Sequence, residues 1–371
     1  MNRTILRRAA APGIAALALG LSLSACGAGN EQATKNTSAT VEGASGTLNG
    51  AGSSAQEAAQ SAWQAGFQGA NPDVTVNYDP VGSGGGREQF ISGGVDFAGT
   101  DAYLSEDDGE VSGAKKRCDN QDAIEIPNYV SPIAVVYNVQ GVDKLQLSPK
   151  VIASIFDGKI KKWNDPQIAA DNPDAKLPAQ NITAVHRSDD SGTTKNFTDY
   201  LSKAGEGAWT HDPDGMWPTK TGEAAQGTSG VVAAVKNGQG AIGYVDESQA
   251  GDLGIASVKV GDAYVAPSAE GAAKALEAST RVEGRPAGDM AYDINRTTTE
   301  SGAYPILLTS YLVACPTYKD KGTADLVKGY LSYIISDEGQ QAAAKQAGSA
   351  PLPASVQQEA QGIVDKIKAQ G

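Results

Sequence analysis

Residues 182–201, ITAVHRSDDSGTTKNFTDYL, decide how the chain is read. Residues 182–185 are mostly apolar and β-prone, and they run on to His186 and Arg187 as a strand would. Ser191, Gly192, Thr193 and Thr194 then form a turn of small, hydrogen-bonding residues. Beyond it, Phe197 and Leu201 fall one helical turn apart, with Tyr200 beside them. Alternation along the strand predicts that His186 and Arg187 point to opposite faces.

The same design, strand then Gly/Ser/Thr turn then helix, occurs twice upstream. Thr47, Leu48 and Asn49 lead into GAGSS at residues 50–54, followed by a helical pattern over 55–68 with Trp63 and Phe67 on one face. Ser54 and Glu57 have the spacing of a capping box. Val74, Val76 and Tyr78 alternate as a strand, and GSGGG follows at residues 82–86, with a helix predicted from Arg87. Residues 95–101 read as a short strand ending in Asp101. Further strands are predicted over 130–139, 240–245 and 304–313, and helices from Thr323 with a break at Pro351 and Pro353. This alternation indicates an α/β fold.

Each turn alone reads as a helix cap ahead of a ligand site. Three together make a different case. A helix N-terminus offers free N–H groups and a partial positive charge, glycine allows close backbone approach, and hydroxyls add donors. None of the turns matches a nucleotide-binding loop, which points to a small free anion. Arg187 supplies a planar fork suited to an oxyanion, and Asp189 is near enough to brace it. Asp101 is informative because an acid belongs in an anion site only if the ligand carries a proton. Phosphate near neutral pH has one to donate and sulfate has none, so Asp101 would accept from the first and repel the second.

Bulk properties narrow the class. Acids outnumber bases 43 to 30, a net charge of −13, which argues against nucleic-acid binding. The overall field also repels an anion, so capture must rest on short-range hydrogen bonds, helped by a Debye length of about 8 Å at physiological salt. Two histidines leave little material for a His-based metal site, and no metal or cofactor is expected.

The N-terminus reads as an address. Arg3, Arg7 and Arg8 precede an apolar stretch at 9–23, too short to span a membrane, and then Leu-Ser-Ala-Cys at 23–26, the pattern of a bacterial lipobox. Residues 1–25 are expected to be a lipoprotein signal peptide, with Cys26 acylated and membrane-anchoring. Residues 26–46 are expected to be a flexible tether. Cys118 and Cys315, in an exported chain, are expected to pair.

From residue 48 onward the chain resembles the PstS family, the substrate-binding proteins of the Pst phosphate ABC transporter. LNGAGSSAQ (48–56), VGSGGGREQF (81–90), VDFAGTDAYLS (95–105), IFDGKIKKWNDPQIAADNP (155–173), residues 177–201 and GAIGYV (240–245) carry the resemblance in order and spacing. It implies a two-lobe periplasmic-binding-protein-like fold of type II with a two-strand hinge. Lobe 1 would comprise 47–127 and 305–371, and lobe 2 would comprise 128–304. Cys118 and Cys315 would then share lobe 1. It also implies phosphate ligands: Ser54 and the N–H of Ala55, Ser83, Asp101, Arg187 braced by Asp189, and Ser191, Gly192 and Thr193. Ser54 and Ala55 depart from the Thr and bulky residue commoner in that family, and Asp190 is assigned no role. The implied protein is a monomer outside the cell membrane that delivers phosphate to permease and ATPase subunits. The competing readings are a binding protein for sulfate or molybdate, an enzyme such as a phosphatase, and an adhesin without a ligand.

Overall fold

A computed structural model describes residues 39–370. The expected signal peptide, Cys26 and the tether up to residue 38 lie outside the described residues.

The first part alternates strand and helix: β1 (Gly46–Gly52), α1 (Glu57–Ala70), β2 (Val74–Asp79), α2 (Ser83–Ser92), β3 (Phe97–Thr100) and α3 (Glu110–Arg117). β1 lies between β2 and β3 and is parallel to both. Parallel strands carry their following turns to one edge of the sheet, where α/β proteins bind ligands. A long strand, β4 (Ile124–Asn138), follows. The short β5 (Gln146–Leu147), α4 (Pro149–Phe156) and α5 (Pro166–Asp171) lead to a second alternating run. That run is β6 (Thr183–Arg187), α6 (Gly192–Ala204), β7 (Glu223–Ala225), α7 (Gly227–Asn237) and β8 (Ala241–Asp246). β6 is parallel to both β7 and β8.

β9 (Gly254–Ile255) pairs with β4, while β10 (Ser257–Val260) and β11 (Ala263–Val265) join β5 in a small sheet. α8 (Ala269–Glu277) and the pair β12 (Thr280–Arg281) and β13 (Tyr292–Asp293) lead to β14 (Leu307–Ala314). The chain ends with β15 (Thr317–Tyr318), α9 (Lys321–Ile335), α10 (Asp337–Ala347), α11 (Ala354–Val364) and β16 (Lys368–Ala369).

The main sheet runs β2-β1-β3-β14-β4-β8-β6-β7. β4 belongs to both halves of this two-lobe α/β fold. Its residues up to Pro132 pair with β14, and from Ile133 it pairs with β8. Proline cannot donate to a ladder and is tolerated at bulges and ends. Pro132 sits where β4 changes partner, and Pro127 pairs with Tyr311, beside the register shift between Ser310 and Tyr311. Side chains on both faces of β4 are buried, which explains its apolar run without alternation.

Trp63 and Phe67 of α1 pack with Tyr330 and Tyr333 of α9 in one core region. Further along the same core, Tyr244 stacks on Phe197 and Trp217, and Phe156 meets Phe197 and Tyr244 edge-on. Cys118 after α3 is bonded to Cys315 after β14, with Cα atoms 5.2 Å apart.

Two local expectations are corrected. Ser54 does not cap α1: the N-cap is Gln56, without a side-chain cap bond, and the Ser54 hydroxyl bonds to Thr228 instead. α2 begins at Ser83 rather than Arg87, so Gly84, Gly85 and Gly86 are helical. They serve packing rather than turning. A Cβ on Gly86 would stand 2.3 Å from the Cα of Gly52, so only glycine lets α2 rest on the β1 backbone. Gly82, at φ +100°, makes the turn itself.

Candidate functional site

The turns after β1, β2, β3 and β6 converge on Asp101, and the turn after β7 meets them through Asp189 and Ser54. Ser53 Oγ donates to Asp101 Oδ2 at 2.7 Å, Thr193 Oγ1 donates to the same oxygen at 3.0 Å, and Ser310 Oγ donates to Oδ1 at 2.6 Å. The Asp101 N–H donates to Ser83 Oγ, and its carbonyl accepts from Asn196 Nδ2 at 2.6 Å. A carboxylate has about four acceptor positions, and three are occupied by hydroxyls here. One remains.

The hydroxyls differ in what they have left to give. Ser83 Oγ accepts the Asp101 N–H, and Ser191 Oγ accepts the Thr194 N–H as the cap of α6. Both keep their own proton free to donate. Thr193 has directed its proton at Asp101. The N–H groups of Gly192 and Thr193, in the first turn of α6, have no acceptor within the helix. A Cβ on Gly192 would stand 2.7 Å from Ser83 Oγ and 2.8 Å from Asp101 Cβ, so only glycine fits between these turns.

Arg187 closes β6 and is 3% exposed. Its Nε donates to Asp189 Oδ1 at 2.8 Å, and its Nη2 pairs with Asp189 Oδ2. Two of its five N–H groups are thus spent on the brace and three remain. Asp189 also accepts the Gly227 N–H. Burial pushes the Asp189 carboxyl up, but the Arg187 hydrogen bond and charge, with the Gly227 N–H, outweigh it and hold the group below its ordinary range. His186 faces away, stacked on Trp217 with centroids 4.9 Å apart, and burial lowers its pKa. The hydroxyls of Tyr244 and Thr194 bond at 2.7 Å beneath the third turn.

All eight expected ligand residues are buried and lie on these converging turns. Two differ in detail from expectation. The Ala55 N–H is engaged by Ser53 Oγ at 3.1 Å, within its own turn. Ser54 Oγ reaches the opposite half, accepting the Thr228 N–H and meeting Thr228 Oγ1 at 3.1 Å. Gln249 Nε2 donates to the Ser54 carbonyl across the same gap.

Sequence reasoning passed over Ser53, Thr228 and Ser310. Ser53 lay in a turn already singled out. Thr228 sits in GTSG (227–230), a fourth strand–turn–helix junction that the same rule would have found. Ser310 had no local signal, because it is an ordinary strand residue until β14 pairs with β3.

A cavity of about 170 Å³ shares Asp101 with this cluster, and is otherwise lined by residues such as Tyr103, Lys195, Asn196, Arg296 and Thr309. None of the other expected ligand residues borders it. Among the described residues no group of three or more His, Cys, Asp or Glu side chains is placed to hold a metal ion.

Residues 37–338 match the model of the PBP superfamily domain. The chain is 35% identical over 302 residues to the phosphate-binding protein PstS2 of Mycobacterium bovis, covering 80% of each chain. The chain belongs to the PstS family of phosphate-binding proteins. Two further PstS relatives agree. PstS 3 of Mycobacterium tuberculosis is 37% identical over 275 residues, covering 72% of this chain and 73% of its own. PstS of Haemophilus influenzae is 32% identical over 288 residues, covering 76% and 81%. Among solved structures, a high-affinity periplasmic phosphate-binding protein (PfluDING) bound with phosphate superposes with a TM-score of 0.68 at 21% identity, covering 85% of this chain and 93% of its own. The phosphate-binding protein of Stenotrophomonas maltophilia gives 0.66 at 18%, covering 86% and 94%. At such identities these two speak for the fold, and the PstS relatives speak for the family.

Proposed function

We propose that this chain captures inorganic phosphate outside the cytoplasmic membrane and hands it to an ABC importer of the Pst type. The observation that carries the reading is a buried acid amid hydroxyl and N–H donors, with one acceptor position unused. In this reading Ser83, Ser191, the first N–H groups of α6 and three N–H groups of Arg187 donate to the phosphate oxygens. Thr193 turns its proton from Asp101 to the ligand, and Asp101 accepts the proton that phosphate itself carries. Ser54 and Ala55 line the edge of the site. Sulfate, offering no O–H, would face Asp101 as a like charge, which disfavours the other-oxyanion reading.

The chain binds and releases without turnover in this reading, so a chromogenic phosphate ester should remain intact. Cys26 would carry the lipid anchor. No described helix is long and apolar enough to cross a membrane. A monomer with lobe 1 at 47–127 and 305–371 and lobe 2 at 128–304 would close on the ligand and present that closed form to the permease and ATPase subunits.

Calorimetry on ligand-stripped protein at neutral pH tests the reading. One tight phosphate site with no sulfate response is expected. No phosphate response would overturn it.

A further inference from the structure

Asp190 lies between the brace Asp189 and the expected ligand residue Ser191. Its carboxylate does not enter the cluster around Asp101. It crosses to the opposite half of the fold, where Oδ2 meets Arg87 Nη2 at 3.3 Å. Its backbone carbonyl accepts the Gly84 N–H at 3.1 Å. Both partners are on α2, the helix that begins with Ser83.

The receiving side is built in advance. Arg87 is 5% exposed, its Nε is held by Glu110 Oε1 at 2.5 Å, and its Nη1 donates to Thr100 Oγ1 at 3.0 Å. Glu110 is held in turn by the Ser105 N–H at 2.9 Å. All of these groups lie between β3 and α3, so the guanidinium is oriented without help from Asp190. The seat is shaped as well. A Cβ on Gly84 would stand 2.1 Å from Asp190 Oδ2, and one on Gly215 would stand 2.1 Å from Oδ1. The carboxylate therefore sits in a slot that exists only because both positions are glycine.

We propose that Asp190 is a latch residue: its carboxylate, seated on Arg87 between Gly84 and Gly215, holds the second and third ligand turns together and sets how fast a closed site reopens. An ion pair half open to water contributes little when two mobile side chains must be ordered to make it. Here one partner is already fixed, and the bond is charge-assisted. Asp190 touches no expected ligand donor, so it acts by positioning. Its effect should appear in release more than in capture, because encounter precedes latching.

The latch rests on the phosphate reading only for its kinetic readout. Stopped-flow exchange of phosphate on the full chain should show Asp190→Asn raising the release rate roughly three- to tenfold, with the association rate within about twofold. The difference should shrink as salt rises. Gly84→Ala should also speed release, and adding Asp190→Gly should restore part of the loss by emptying the slot. A ligand-independent measurement separates the two ideas. Spin labels at Lys116→Cys and Lys236→Cys, both exposed, should report a wider distance distribution for Asp190→Asn without any anion. If parent protein binds no phosphate but the distances shift, the latch stands and the phosphate reading fails. An unchanged release rate, or an unchanged distance distribution where phosphate does not bind, overturns the latch.

Discussion

Thr193 Oγ1 donates to Asp101 Oδ2 at 3.0 Å, joining the first turn of α6 to the end of β3 across 92 residues of chain. Two expected ligand groups are therefore partners of each other. The threonine proton satisfies the acid, and the acid would release it when a ligand brings a proton of its own. Under the phosphate reading this pairing would favour protonated oxyanions.

Asp101→Asn should lower phosphate affinity about three- to tenfold while making sulfate binding measurable. An amide keeps one acceptor oxygen for the surrounding hydroxyls but adds N–H donors and removes the charge. Paired titrations with the two anions check this. Continued full rejection of sulfate would sink the role given to Asp101.

Arg187→Ala should cost more affinity than any single Ser→Ala at Ser83 or Ser191. Charge-assisted hydrogen bonds contribute about 1.5–3 kcal/mol each and neutral ones about 0.5–1.5 kcal/mol. The substitution also leaves the half-buried Asp189 without its guanidinium, so the melting temperature should fall too. Equal losses in affinity across the three variants would mean that backbone dipoles dominate.

Asp246 ends β8 at Ile133 of β4, where β4 changes partner, and accepts from Tyr129 Oη at 3.1 Å and from the Ser248 N–H. Burial is the largest influence and pushes its carboxyl up to about 7, despite hydrogen bonds from Ser248 and Tyr129 that favour the charged form. A folded-state pKa above the unfolded one means the native state holds the extra proton. Its stabilisation is full below about pH 4 and is lost as pH rises to about 7. Thermal unfolding from pH 5 to 8 should show this decline, and Asp246→Asn should flatten it. A slope unchanged by the substitution would assign the titration elsewhere.

Gly86→Ala should destabilise the protein by about 1–3 kcal/mol. Its Cβ would press on Gly52 Cα at 2.3 Å and Ala51 O at 2.7 Å, displacing the turns that carry Ser53 and Ser83. Phosphate affinity should fall with stability. Gly69→Ala, on an open stretch of α1 with nothing within 4 Å, is the control and should be neutral or slightly stabilising. Urea titrations of the two variants decide the point, and equal behaviour would contradict the close packing.

Much of the site was legible because its pieces are local. Arg187 and Asp189 are two residues apart, and Ser191 caps the helix that starts at Gly192. Strand, small-residue turn and helix form a short-range pattern, so the α/β alternation and three donor-rich turns could be read without knowing how they meet. The same short range explains the errors. Ser54 with Glu57 satisfies the local rule for a capping box, but a cross-site bond to Thr228 claims the hydroxyl. Three glycines after Ser83 look like a loop by propensity, but packing of α2 on the β1 backbone overrides it.

The sequence by itself determined the fold class, the donor-rich turns, the pairing of Arg187 with Asp189 and the presence of an acid among the donors. Tertiary structure alone decided which hydroxyls face Asp101, since Ser310 arrives through the register of β14 on β3. It alone seated Asp190 on Arg87, 103 residues away. Backbone preference acts over a few residues and can be read along the chain. A hydroxyl proton or a carboxylate takes its direction from the partners that folding brings to it, and those are set by strand register and close packing.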